Sequence, residues 1–181
     1  IAEGEVIQLL NIRNTNVSLT EYFNVIEQKT ACLFEAACKI GALLSDSSKK
    51  TINSLGDFGL HLGKAFQIID DTLDYESDST TMGKEVGDDL SEGKITLPMI
   101  YALEKTSGKE NKILKNAIET ADASNIDNIV TILYSVNAFE FTRQIAENES
   151  QKALKSLENI PESDYHSALK LLCELSLNRT S

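Results

Sequence analysis

Asp70, Asp71 and Asp74 stand together in "QIIDDTLDY", at the end of an apolar stretch. From Asp70 to Glu92 there are nine carboxylates (Asp70, Asp71, Asp74, Glu76, Asp78, Glu85, Asp88, Asp89, Glu92) and one base, Lys84. Such crowding repels itself unless a cation enters it or water screens it. On a helix Asp70 and Asp74 are one turn apart and Asp71 and Asp74 three residues apart, so their carboxylates can converge on one point. Hard oxygen ligands with no His or Cys nearby favour Mg²⁺ over zinc or copper. Magnesium keeps several waters and typically bridges a carboxylate to a substrate phosphate, so the acids predict a diphosphate or triphosphate ligand. Lysines supply the other half. Lys84 and Lys94 each follow a glycine ("GKEVG", "EGKIT"), and Lys29 precedes Thr30 in "EQKTACLFEAA". Three cations arriving from separate segments would neutralise what the metal leaves uncovered on a diphosphate.

Blander readings compete. The acids could be a solvated helix end, although the macrodipole disfavours anions at a C-terminus. Lys29 could snorkel from an apolar helix. Several other sites are excluded by the residues themselves. The stretch after Asp70 lacks the sixth-position glycine and the twelfth-position glutamate of an EF-hand. "GDDLSEGKIT" is not a P-loop, because five residues separate Gly87 from Gly93 and Ile follows Lys94. No Glu-x-x-His pair or G-x-S-x-G occurs, and His61 and His166 have no matched nucleophile.

The elements that must position these groups are helical throughout. Apolar residues recur at helical spacing, with no sustained strand-type alternation, and the fold class is all-α. The pattern predicts helical segments over roughly 1–11, 20–44, 48–76, 95–106, 110–121, 125–135, 138–158 and 162–177. Ser18 or Thr20, and Ser47 or Ser48, are candidate N-caps, and Pro98 suits the opening turn of a helix. The polar loop over 77–94 has a length that more often serves function than connection. In the third segment Leu55, Phe58, Leu62, Ile69 and Leu73 form the stripe to bury. Another face runs Gly59, Gly63, Gln67, Asp70, Asp71, Asp74: small, then polar, then anionic. Glycine costs about 1 kcal/mol against alanine inside a helix, so Gly56, Gly59 and Gly63 require either close packing or a cavity.

A chain of 181 residues, 41% hydrophobic, suits one globular domain or a large piece of one. Its net charge of −11 argues against nucleic acid or an anionic membrane surface as partner. Cys32, Cys38 and Cys173, an odd number in helical context, read as buried free thiols of a reducing, cytoplasmic compartment. No apolar run is long enough for a transmembrane segment. "IAEGEVIQLLN" has no initiator Met and opens with a helical pattern under way, which suggests a truncated piece.

"FQIIDDTLDY" followed by "GKEVGDDLSEGKITLP" resembles the second aspartate-rich motif and adjoining loop of the trans-type isoprenyl diphosphate synthases, the polyprenyl synthetase family. "EGEVIQL", "KTACLFEAAC" and "FTRQIAENESQKAL" are similar to its other helices, and the likeness covers essentially the whole chain. It implies an isoprenoid synthase-type helical bundle around a central apolar cavity, of which residues 1–181 are the C-terminal part of a single domain. Members condense an allylic diphosphate with isopentenyl diphosphate, use Mg²⁺ and are typically homodimers. The wording is nearest to octaprenyl-forming members, which implies a long all-trans product for quinone side chains. By the same resemblance Asp70 and Asp71 hold Mg²⁺ with Asp74 in support, and Lys29, Lys84 and Lys94 grip the allylic diphosphate. Thr30 and Gln67 point oxygen dipoles at the carbocation. The family's first aspartate-rich motif does not occur here, so the 181-residue chain alone is expected to be inactive. Alternatives are a non-catalytic subunit of a heteromeric synthase and a helical scaffold with a solvated acidic loop.

Overall fold

Ser18 opens the second helix because its hydroxyl oxygen accepts the Glu21 amide while the Glu21 carboxylate accepts the Ser18 amide at 2.8 Å. Two donors that the helix start leaves unpaired are thereby satisfied. Ser48 caps the long helix by accepting the Thr51 amide at 3.2 Å. The computed structural model describes residues 1–76 and 86–179, and every regular element among them is helical. These are α1 (Ala2–Leu10), α2 (Leu19–Ile26), a π turn (Glu27–Ala31), α3 (Cys32–Leu44), α4 (Lys49–Glu76), α5 (Asp88–Ser91), α6 (Leu97–Lys105), α7 (Gly108–Thr120), α8 (Ile126–Ser135), α9 (Ala138–Ser156) and α10 (Asp164–Leu177).

Two departures from the predicted segments matter. The segment over 20–44 is one rod broken by the π turn, in which the Cys32 amide donates to the Glu27 carbonyl five residues back. Such turns recur at functional sites. The predicted loop over 77–94 contains the short helix α5, tied back by the Gly87 amide donating to the Asp74 carbonyl at 2.9 Å. Lys84 lies outside the described residues.

The 28-residue α4 is the axis, packed between α3 and α9, with α6 and α10 beside it. Phe58, Leu62, Ile69 and Leu73 of the predicted stripe are buried, and Leu55 packs partly against them. The glycine face serves close packing. A Cβ on Gly59 would stand 2.4 Å from the Phe34 carbonyl oxygen, and one on Gly63 2.7 Å from the Ala31 Cα. Of the three thiols only Cys173 is buried; Cys32 and Cys38 are part-buried, Cys38 at the margin of the cluster around Phe58 and Leu62. Among the described residues no helix is long and apolar enough to cross a membrane.

A buried ion cluster joins α4 to α9. Glu149 accepts from His61 Nδ1 at 2.7 Å and from Lys152 Nζ at 2.6 Å. Burial pushes the Glu149 carboxyl up, but the His61 and Lys152 hydrogen bonds outweigh it and hold the group at about 2. A carboxyl depressed in the folded state stabilises fully above its unfolded value, and that stability is lost as pH falls toward the folded value. The urea midpoint of the chain is therefore expected to drop between pH 4.5 and 2, and Glu149→Gln should flatten that part of the profile.

Candidate functional site

The π turn is held on three sides. Gly4 of α1 lets the Lys29 backbone approach so closely that a Cβ there would lie 2.4 Å from its nitrogen. Gly63 of α4 does the same for Ala31, and Lys64 of α4 pairs with Glu27 at 2.7 Å. Two neighbouring side chains are thereby sent to different helices. Lys29 Nζ donates to Gln8 Oε1 at 2.8 Å and lies 3.5 Å from Glu5, both on α1. Thr30 Oγ1 donates to Gln67 Oε1 of α4 at 2.6 Å.

Asp71 sits one turn beyond Gln67 and is 5% exposed. Its Oδ1 accepts the Gln67 amide at 2.8 Å and its Oδ2 the Tyr22 hydroxyl at 2.6 Å. An ionised carboxylate only accepts, which requires Gln67 to turn its nitrogen toward Asp71 and its oxygen toward Thr30. The Gln67 oxygen thus has Thr30 as its partner, rather than lying open to a cation as the sequence reading has it. Burial, then the charges of Asp89 and Asp70, push the Asp71 carboxyl up to about 7, with the Tyr22 and Gln67 hydrogen bonds working against them. The Tyr22 phenol is raised well above its usual value by burial and by Asp71, which keeps its proton in place as a donor.

The other two aspartates face elsewhere. Asp70 is 46% exposed, and the nearest cation is Arg179, whose Nη2 lies 3.5 Å from its Oδ1. The Arg179 guanidinium also stacks 4.3 Å from the Phe66 ring centroid, and its buried Nη1 has no hydrogen-bond partner among the described residues. Asp74 Oδ2 accepts the Asp89 amide at 3.2 Å and fixes the start of α5. The three carboxylates therefore do not meet at one point, and among the described residues no three acids surround a metal position. One backbone turn separates Asp70 from Asp74, but the α5 amides claim Asp74 and the α2 hydroxyl claims Asp71. For a hard dication the donor set still fits as a partial shell, since magnesium takes one or two carboxylates and fills its sphere with water and phosphate oxygens. Asp70 is the carboxylate with open coordination.

Lys94 turns to its own acids, 3.3 Å from Asp89 and in contact with Glu92. Burial pushes its ammonium down, but Glu92 and Asp89 hold it above its usual value. Lys29, Gln67 and Asp71 line one narrow cleft of about 20 Å³ with Tyr22, Gln8 and Asn11 on its polar side, and Val17, Val25, Ile26 and Ile95 on its apolar side. Cation, carboxylate and apolar wall thus share one opening. Tyr22 and Arg179 are the site residues that sequence reasoning missed. Tyr22 looks like one more apolar position of an amphipathic helix, and only the need of a buried hydroxyl for a partner points to it. Nothing in the spacing of a near-terminal arginine signals its approach to Asp70.

Comparison with known proteins gives the family and the fold. The polyprenyl synthetase family model matches residues 1–135. Octaprenyl diphosphate synthase of Escherichia coli strain K12 is 38% identical over 180 residues, covering 99% of this chain and 56% of the relative. All-trans-nonaprenyl-diphosphate synthase (geranyl-diphosphate specific) of Rhodobacter capsulatus is 40% identical over 179 residues, 99% of this chain and 55% of the relative. Among solved structures, polyprenyl synthase from Caulobacter crescentus CB15, complexed with calcium and isoprenyl diphosphate, superposes with a TM-score of 0.94 at 34% identity, covering 99% of this chain and 56% of that one. The chain spans about half the length of the curated relatives it matches. Their names specify different product lengths, so similarity does not fix one. On the family match and the shared all-α architecture, the chain belongs to the polyprenyl synthetase family.

Proposed function

We propose that this chain is the C-terminal part of a Mg²⁺-dependent trans-polyprenyl diphosphate synthase. The full-length enzyme would be a cytoplasmic homodimer that condenses an allylic diphosphate with isopentenyl diphosphate and builds a long product, octaprenyl by the wording of the sequence, for quinone side chains. The observation that carries the proposal is that Lys29 and Asp71 line one cleft together with Val17, Val25, Ile26 and Ile95, and Asp70 adjoins Asp71 in the chain. Exposed apolar side chains on α1 and α3, Leu9, Leu10, Leu43 and Leu44 among them, fit a fold completed by further helices or a second copy.

In this reading Asp70, the more open carboxylate, and Asp71, through the lone pairs its partners leave free, would hold Mg²⁺, with Asp74 in support. Magnesium, when bound, supplies positive charge that stabilises the departing diphosphate. Lys29 exchanges its Gln8 and Glu5 partners for a phosphate oxygen, and Lys84, Lys94 and Arg179 add charge around the same anion. The buried, unpartnered Nη1 of Arg179 suits an anionic oxygen. When the C–O bond breaks an allylic cation is left, from which apolar side chains of the completed fold would keep water. The isopentenyl double bond then attacks that cation, and the proton lost from the adduct passes to the released diphosphate. The 181-residue chain alone supplies half of such a site and is not expected to turn over.

Calorimetry tests the proposal without requiring catalysis. Titrating the chain with Mg²⁺ in the presence of inorganic pyrophosphate should give heat beyond that of Mg²⁺ binding pyrophosphate in a protein-free titration, and Asp70→Ala should remove most of that excess. A helical scaffold with a solvated acidic loop gives no heat beyond the protein-free titration, and that result would overturn the assignment.

A further inference from the structure

Among the described residues, the buried side-chain hydroxyl that reaches an aspartate of the acidic motif comes from α2, an element that carries none of the quoted motif residues. Tyr22 is 3% exposed, and its hydroxyl donates to Asp71 Oδ2 at 2.6 Å. Gln67 holds the other oxygen of the same carboxylate, and Thr30 fixes which end of the Gln67 amide faces it. A carboxylate oxygen offers two lone pairs, so each oxygen of Asp71 keeps one after these bonds are made. Two donors from opposite sides leave the group no freedom to rotate.

We infer that Tyr22 is a positioning residue: with the Gln67 amide, its hydroxyl sets the plane of the Asp71 carboxylate and thereby the lone pairs directed toward a divalent cation beside Asp70. The inference rests on the function proposed above. It also ties the two halves of the site together, because the chain Tyr22–Asp71–Gln67–Thr30 ends on the π turn that carries Lys29. Partners behind a ligating group typically change metal affinity by about 10- to 100-fold when removed. A hydroxyl that merely satisfied packing would alter stability and leave affinity alone.

The test compares the chain with its Tyr22→Phe, Thr30→Val and Asp70→Ala variants by Mg²⁺ calorimetry in pyrophosphate, alongside urea unfolding. Tyr22→Phe keeps the ring, and it is expected to bind Mg²⁺ about 10- to 100-fold more weakly while still unfolding in one cooperative step. Thr30→Val loosens the same clamp from its far end and should shift affinity the same way by less. It carries the test if Tyr22→Phe does not fold. Unchanged Mg²⁺ affinity in the folded variants, with the heat lost in Asp70→Ala, would overturn the role of Tyr22 and leave the diphosphate site standing. Heat from the unsubstituted chain no greater than that of the protein-free Mg²⁺–pyrophosphate titration would overturn both.

Discussion

Asp70→Ala in the full-length enzyme is expected to lower kcat by about 10²- to 10³-fold, the range seen when one preorganised electrostatic contact to a transition state is removed. The choice among three adjacent acids follows from their partners. Asp71 has both oxygens engaged by Tyr22 and Gln67, and Asp74 receives the Asp89 amide. Among the described residues Asp70 meets one guanidinium, at 3.5 Å, and its side chain is half-exposed. A metal held there acts on charge that develops as the diphosphate leaves, so its loss should fall on kcat rather than on substrate KM. Steady-state kinetics with Mg²⁺ varied to saturation check this, and a kcat unchanged at every Mg²⁺ concentration would remove Asp70 from the mechanism.

The second large effect is structural and has a sign that depends on position. Gly59→Ala places a Cβ 2.4 Å from the Phe34 carbonyl oxygen and 2.7 Å from its carbon, and backbone atoms of a packed helix cannot step aside. Overpacking of this kind costs about 1–3 kcal/mol, which exceeds the gain of about 1 kcal/mol that alanine brings to a helix. Gly63→Ala meets Ala31 Cα at 2.7 Å, and the only relief is to move the π turn away from α4. That displacement pulls Thr30 from Gln67, so the variant should lose catalysis as well as stability. Gly41→Ala is the control. Nothing lies within 4 Å of its added Cβ, and the position is exposed in α3. There the helix propensity acts unopposed and should raise stability by about 1 kcal/mol. Urea midpoints of the three variants should therefore move down, down and up, and a Gly59→Ala midpoint at or above that of the parent would contradict the packing argument.

Much of this fold is legible in the sequence because helices announce themselves twice, by periodicity and by ends. The stripe from Leu55 to Leu73 and the cap at Ser18 each follow from local rules. The π turn does not, because an extra residue shifts the phase of a rod without changing its composition, and the pattern over 20–44 reads as unbroken. In the candidate site, residue types were legible and directions were not. Spacing places Asp70, Asp71 and Asp74 on neighbouring turns, but which way each carboxylate points is decided by Tyr22, by the α5 amides and by Arg179, all distant in sequence. Lys94 shows the same limit: its glycine neighbour suggested a phosphate, whereas its nearest partners are Asp89 and Glu92.

The rod made of α2 and α3 carries one residue more than regular winding would accommodate between Ile26 and Cys32. Losing a residue there would let the two helices fuse into an ordinary spiral, locally more comfortable and hydrogen-bonded throughout. It would also rotate one flank against the other by about 100°. Either Tyr22 would turn from the acidic motif, or Phe34 and Ala31 would turn from the glycines that receive them. The connections before Ser18 and after Leu44 can therefore drift in length over evolution, whereas the span from Tyr22 to Phe34 is locked to its count.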